Sequence, residues 1–222
     1  MVKDITAKLY AHTPADTLYH YTTFSGFLGI VQRRNLWASD IRYMNDSAEL
    51  RHTADLVRQE VNRRLASGHP DPALLTSFQD WTAHRITNGH LLFGASFRTH
   101  GNLLSQWRGY GAPGKGVSIG FNSLSILACA RRQSFEVGKC VYDPEAQSRL
   151  IAQVIDEVEL LHQNRPRNRE RSPPDASLFS GIESDLLRIA AVLKHPSFQE
   201  EEEWRIVSPV VTDYLDAPVR FR

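Results

Sequence analysis

The spacing of apolar side chains divides the chain into short strands set among amphipathic helices. Thr17 to Thr23, TLYHYTT, is rich in aromatic and β-branched residues and reads as a strand. Phe24, Phe27, Leu28 and Val31 then recur at helical spacing and predict a short helix, with a second strand over Leu36 to Asp40. Asp46 followed by Glu49 forms a capping box, so a helix is expected to start near Ser47, with the stripe Leu50, Ala54, Val57, Val61 and Leu65. GHPDP breaks it, and a second helix from about Ala73 to Ile86 carries Leu74, Phe78, Trp81 and Arg85.

LLFGASF, Leu91 to Phe97, reads as a buried strand, and the glycines of LLSQWRGYGAPGKG predict tight turns or close backbone approach. Gly116 to Phe121 is a further strand, Asn122 and Ser123 can cap the helix LSILACARR, and SFEVGKCVYD is again a strand. Asp143-Pro144 opens a helix to about His162. NRPRNRERSPP is polar and proline-bearing and reads as a mobile basic loop over about 163–174, followed by a helix from about Asp175 to Leu193. Glu201 to Val211 alternates as a strand with Glu201, Glu203 and Arg205 on one face, and VRFR reads as a last edge strand.

No regular βαβ spacing, GxGxxG or P-loop occurs, which points away from Rossmann and Walker folds. The pattern predicts an α+β chain, a single domain over 1–222 with a small, bent sheet and a helical insertion at about 47–89. A 41% hydrophobic content is enough for a core without disulfide or metal staples. The formal charge of +1 excludes a globally basic nucleic-acid binder but leaves room for a local basic patch. Cys129 and Cys140 are the only cysteines and make no disulfide framework. With no apolar run near the ~18–20 residues of a membrane span and no apolar signal core, a cytoplasmic location and no membrane partner are expected.

Several clusters carry candidate chemistry. His20 and Thr22 share one face of the first strand, with Tyr21 on the other, and two polar groups on an interior strand need partners or a ligand. Asp46 is explained by capping, whereas Tyr43 just before it, near Ser39, sits where an aromatic ring can stack on a planar heterocycle or simply pack. Gln106-Trp107-Arg108-Gly109-Tyr110 places an arginine suited to phosphate, or to a loop-fixing carboxylate, between glycines. The acidic run Glu200 to Glu203 passes directly into WRIV, so Glu203 and Arg205 enter the core together, as an ion pair or as an anion poised to stabilise a cation. Arg165, Arg167, Arg169 and Arg171 can meet nucleic-acid phosphates or simply be solvated. No HExxH or other metal-ligand spacing is present, so no metal is expected.

LYHYTTFSGFLGIV, LWASDIRYMNDSAE, SQWRGYG with GVSIGF, and HPSFQEEEEWRIV, in this order from about Leu18 to Val207, resemble an uncharacterised bacterial family known only as domain of unknown function 2971. That family is similar in turn to the ADP-ribosyltransferase superfold, whose His-Tyr-Glu version includes diphtheria toxin and the poly-ADP-ribose polymerases. His20 matches the first position of that triad, and Glu203 the last, with Glu201 before it as in a Glu-x-Glu arrangement. Tyr43 and Ser96 are both candidates for the middle position, Tyr43 the preferred one. The opening strand–helix–strand also looks like that of the DNA-modifying DarT toxins.

The resemblance implies a split, bent sheet of the ADP-ribosyltransferase type. It implies an enzyme that cleaves the nicotinamide–ribose bond of NAD and passes ADP-ribose to a macromolecule, with DNA or RNA as a candidate acceptor. A toxin or phage-defence setting, with an antitoxin or regulatory protein as partner, goes with that picture. Under it, Glu203, Glu201 and His20 would be catalytic. His20, Tyr21, Thr22, Ser39, Tyr43, Gln106, Arg108 and Tyr110 would hold NAD, His20 on the adenosine-side ribose, Tyr43 stacked on nicotinamide and Arg108 on the pyrophosphate. Replacing Glu203 is then expected to abolish transfer with the fold intact. Members of the family often continue with further strands past the point equivalent to Arg222, so the sheet is expected to lack an edge or the chain to be a shortened variant. A non-catalytic nucleotide or nucleic-acid binding module, an NAD glycohydrolase and an RNA 2′-phosphotransferase remain alternatives on the same scaffold.

Overall fold

The computed structural model describes residues 1–14, 16–44, 48–110, 116–164 and 176–212. Asp46, the arginine loop and VRFR therefore lie outside the described residues. Among the described residues six strands form one open sheet, β1 (Thr17–Thr23), β2 (Ser39–Asp40), β3 (Phe93–Arg98), β4 (Gly116–Asn122), β5 (Glu136–Lys139) and β6 (Glu203–Val207). Their order is β4-β1-β3-β6-β5, with β2 on β3, and every strand pairing is antiparallel.

The pairing is uneven. β1 and β4 register along their whole length from Thr17↔Asn122 to Thr23↔Gly116, and β3 and β6 from Gly94↔Val207 to Arg98↔Glu203. β1 and β3 register only at Tyr19↔Arg98. The sheet is thus two well-laddered halves joined at a narrow waist.

Nine helices surround it among the described residues: α1 (Val2–Leu9), α2 (Phe24–Arg33), α3 (Ala48–Ala66), α4 (Pro72–Asn88), α5 (Leu104–Tyr110), α6 (Ser123–Arg132), α7 (Pro144–Gln163), α8 (Ala176–Ser180) and α9 (Glu183–Ala190). Side-chain caps start many of them where the sequence places short polar residues: Thr23 accepts from Gly26, Asp71 from Leu74, Asn122 from Ser125 and Asp143 from Ala146. Leu18, Phe97, Val137 and Trp204 bury one sheet face beneath α6, with Ala130 among them. Val57, Val61, Leu75 and Phe78 of the insertion close over Ile151 and Ile155 of α7 and Leu186 of α9. The helical insertion therefore shares one core with the later helices instead of standing as a lobe of its own.

Several boundaries differ from the pattern-based expectation. α1 was not expected; it docks through Val2 and Thr6, and the amino terminus pairs with Glu157 at 3.0 Å. The strand from Leu36 shortens to Ser39–Asp40. The long helix before Leu193 divides at Gly181. The last strand is shorter at both ends. Glu201 belongs to a 3-10 turn over Pro196–Glu201, Glu202 takes φ 39°, and Pro209, which has no N–H to donate, follows its end. The glycine-flanked segment expected as turns holds the helix α5. Its glycines cluster at one end, while Trp107 packs edge-on against Tyr21 at 5.0 Å and the Leu103 amide donates to the Tyr21 hydroxyl at 2.8 Å.

Candidate functional site

Where β1 and β3 part beyond the waist, the sheet opens into a cavity of about 160 Å³. Tyr19, His20 and Tyr21 wall it from β1, Ser96 and Arg98 from β3, and Tyr110 from α5. A second cavity of about 390 Å³ adjoins it, within the roughly 300–1,000 Å³ common to ligand pockets. Glu201, Glu203, Lys194, Arg205 and Ser105 line this one. Met44, Ser96, Arg98, Gln106 and Tyr110 line both, so the two adjoin along shared walls.

His20 is half-buried, and its Nδ1 donates to the Ser96 carbonyl at 3.0 Å across the opened waist. A carbonyl only accepts, so Nδ1 carries the hydrogen. Burial pushes the imidazole below its ordinary value of 6.5; the Ser96 bond opposes that and Arg98 adds to it. The ring is neutral at pH 7, and Nε2 is left as an acceptor in a cavity wall.

The larger cavity ends on a buried charge cluster. Lys194 donates to Glu201 Oε2 at 2.6 Å and to Glu203 Oε2 at 2.5 Å. Arg205 Nε meets Glu203 Oε1 at 2.9 Å, while Arg98 Nη2 lies 2.7 Å from Glu201 Oε2 and Nη1 3.4 Å from Glu203 Oε2. Burial by itself would raise the Glu203 carboxyl, but Arg205, Arg98 and Lys194 overcome it and hold it well below the usual carboxylate range. Glu202 in the left-handed region turns the chain so that its two neighbouring carboxylates reach the same ammonium.

The two glutamates are not equivalent. Glu203 is 0% exposed and both its oxygens are held by cations. Glu201 Oε1 has no hydrogen-bond partner among the described residues, and the side chain lines the larger cavity. Around it the residues of the cavity wall carry further unused polar groups. The Arg98 Nε and Ser105 Oγ are buried without a partner, and the buried Gln106 amide has none among the described residues. Such groups are costly unless something meets them, and together they offer donors and acceptors to a hydroxyl-rich ligand.

Of the residues singled out in the sequence, His20, Tyr21, Ser39, Tyr43, Gln106 and Tyr110 line the smaller cavity, and Glu201 and Glu203 the larger one. Thr22 and Arg108 line neither. Thr22 sits against the start of α2 beside Gly26. Arg108 is exposed, because Gln106 and Tyr110, four residues apart on α5, take the helix face that meets the cavities. The Tyr21 hydroxyl also donates to the His100 carbonyl at 2.8 Å, so it anchors a loop while its ring forms the wall. Tyr43 is 83% exposed and stands at the rim, with the Arg42 guanidinium 6.0 Å from its ring.

Arg98, Lys194, Tyr19, Ser105, Met44 and Trp37 are among the site residues that escaped the sequence reading. Arg98 and Lys194 each end an apolar run, FGASFR and IAAVLK, and a cation directly after core residues is the signal that could have found them.

The family described as protein of unknown function, DUF2971, matches residues 106–206, which run from the Gln106 wall to β6. That stretch belongs to the DUF2971 family. The DUF2971 region thus contains Lys194, Glu201, Glu203 and Arg205, while His20 and Arg98 come from the part before it. No curated protein and no solved structure matches the chain. Among the described residues no helix is long and apolar enough to cross a membrane.

Proposed function

We propose that this chain is an NAD-dependent ADP-ribosyltransferase whose substrate spans the two adjoining cavities. The observation that carries the reading is the continuity of His20 with the Glu201 carboxylate through the shared walls Ser96, Arg98 and Gln106. The single-pair waist between β1 and β3 also supports a split sheet of the ADP-ribosyltransferase type.

In this reading His20 Nε2 accepts from a ribose hydroxyl, and Tyr19 and Tyr21 wall the nicotinamide half. The C1′–N bond of NAD breaks with its electron pair leaving on nicotinamide, which departs neutral, and positive charge develops on the ribose. Glu201, with one free oxygen, accepts from a ribose hydroxyl and stabilises that charge; the acceptor nucleophile then bonds to C1′ and loses its proton. Glu203 anchors the cations that fix Glu201 in place. The pyrophosphate falls to Arg98 and Ser105 instead of Arg108.

Incubation with NAD and a cell lysate tests this: free nicotinamide should appear and ADP-ribose should enter protein, DNA or RNA, whereas intact NAD would overturn the reading. The saturation of Glu203 favours a second reading, a non-catalytic nucleotide-binding module, for which NAD binds without nicotinamide release. ADP-ribose appearing only free in solution would instead identify an NAD glycohydrolase.

A further inference from the structure

Two aromatic side chains at the rim of the smaller cavity stand outside the NAD chemistry. Trp37 precedes β2 and Tyr43 follows it, and β2 is held against β3 at Ser39↔Gly94. Both line the cavity, yet Trp37 is 54% exposed and Tyr43 83%. Each ring has a guanidinium near it, Arg33 at 5.8 Å from the Trp37 centroid and Arg42 at 6.0 Å from that of Tyr43.

We propose that Trp37 and Tyr43 are stacking platforms for the bases of a single-stranded nucleic acid, brought to the cavity mouth as the acceptor. At Trp37 the Arg33 guanidinium, which has no ion pair among the described residues, decides what can stack: a cationic ring such as nicotinamide in NAD would meet like charge, whereas a neutral base would not. Neutral planar groups carried on an anionic chain are nucleobases. The Arg42 charge is matched by Asp40 at 2.6 Å, but Arg33 and Arg34 at the end of α2 are exposed and have no ion pair among the described residues. They supply cations for phosphates beside the platforms. A duplex keeps its bases stacked inside and cannot use them, so the surface selects single strands. The near-neutral total charge means that affinity comes from this local patch. That the bound base accepts ADP-ribose rests on the NAD reading; that the strand binds does not.

Fluorescence anisotropy with labelled single-stranded DNA and RNA, the matching duplexes and a labelled mononucleotide, without NAD, tests the surface on the full chain. Single strands should bind more tightly than duplex or mononucleotide. Trp37→Ala and Tyr43→Ala should each weaken binding by about 5- to 150-fold, with Trp37→Phe largely restoring it. Arg33→Gln with Arg34→Gln should reduce the salt dependence of binding. No strand binding, equal binding to duplex or mononucleotide, or indifference to both aromatic substitutions in folded protein would overturn the proposal. Nicotinamide release without strand binding would sink this inference alone, and strand binding through Trp37 without nicotinamide release would sink the NAD reading alone.

Discussion

Arg98 and Glu203 stand opposite each other on β3 and β6, a cation and an anion in register on adjacent strands, with Nη1 3.4 Å from Oε2. Neither side chain is more than 5% exposed. Their pairing joins the stability of the sheet to the architecture of the larger cavity, because Lys194, Arg205 and Glu201 close the same cluster.

Glu203 should consequently matter for folding. Glu203→Gln leaves Glu201 as the remaining carboxylate of the cluster among the described residues, and breaking a buried pair costs about 3–5 kcal/mol. Urea unfolding should show that loss, in contrast to the expectation that the fold survives the substitution. The pH dependence has a definite sign. The carboxyl is held below its ordinary 4.5, so its contribution is present above that value and is lost as the solution is acidified through and below it. A Glu203→Gln protein within about 0.5 kcal/mol of the parent would show that the cluster carries no stability.

Glu201 is where loss of chemistry should appear. Its second oxygen has no partner among the described residues and its side chain lines the larger cavity, so Glu201→Gln should lower kcat for nicotinamide release by about 100- to 1,000-fold and change KM for NAD far less. An unchanged kcat would remove Glu201 from the reaction.

His20 should give the protein an acid-side dependence near neutrality. The folded imidazole sits below 6.5, so under that value the unfolded chain takes up a proton that the folded chain resists. Stability is therefore full above about 6.5 and declines as the pH falls toward the folded value. His20→Gln should flatten that part of the curve in unfolding experiments between about pH 8 and 5. The same slope in both proteins would assign it to another group.

Gly101 should not accept a side chain. A Cβ there would lie 2.5 Å from the Tyr19 ring, which walls the smaller cavity. Gly101→Ala should cost about 1–3 kcal/mol in thermal or chemical unfolding and weaken any ligand of that cavity. Tyr19→Leu in the same chain should recover much of the stability; failure to do so would place the clash elsewhere.

Much of the local structure was legible in the chain. TLYHYTT is the strand expected, and the spacing of Val57, Val61, Leu74 and Phe78 marks side chains that are buried. The caps at Asp143 and Asn122 start helices where short polar residues precede apolar periodicity. These features depend on near neighbours in sequence, and strand alternation and helical spacing record them directly. The same signals pointed to part of the cavity lining, His20, Tyr21, Gln106 and Glu203 among it, because polar and aromatic residues on otherwise apolar elements need partners.

What the chain alone determined was which residues are polar where burial is expected; tertiary structure decided which of them meet. Sequence pattern cannot tell that Lys194 reaches both Glu201 and Glu203, that Arg98 lies beside them, or that α5 turns Gln106 inward and Arg108 out. The separation of Glu201 from Glu203 in role depended on a left-handed residue between them and on three cations drawn from β3, β6 and the turn after α9. Electrostatic energies in a dry interior depend on distances of a few ångströms between groups far apart in sequence, and only the packing of the sheet and helices sets those distances.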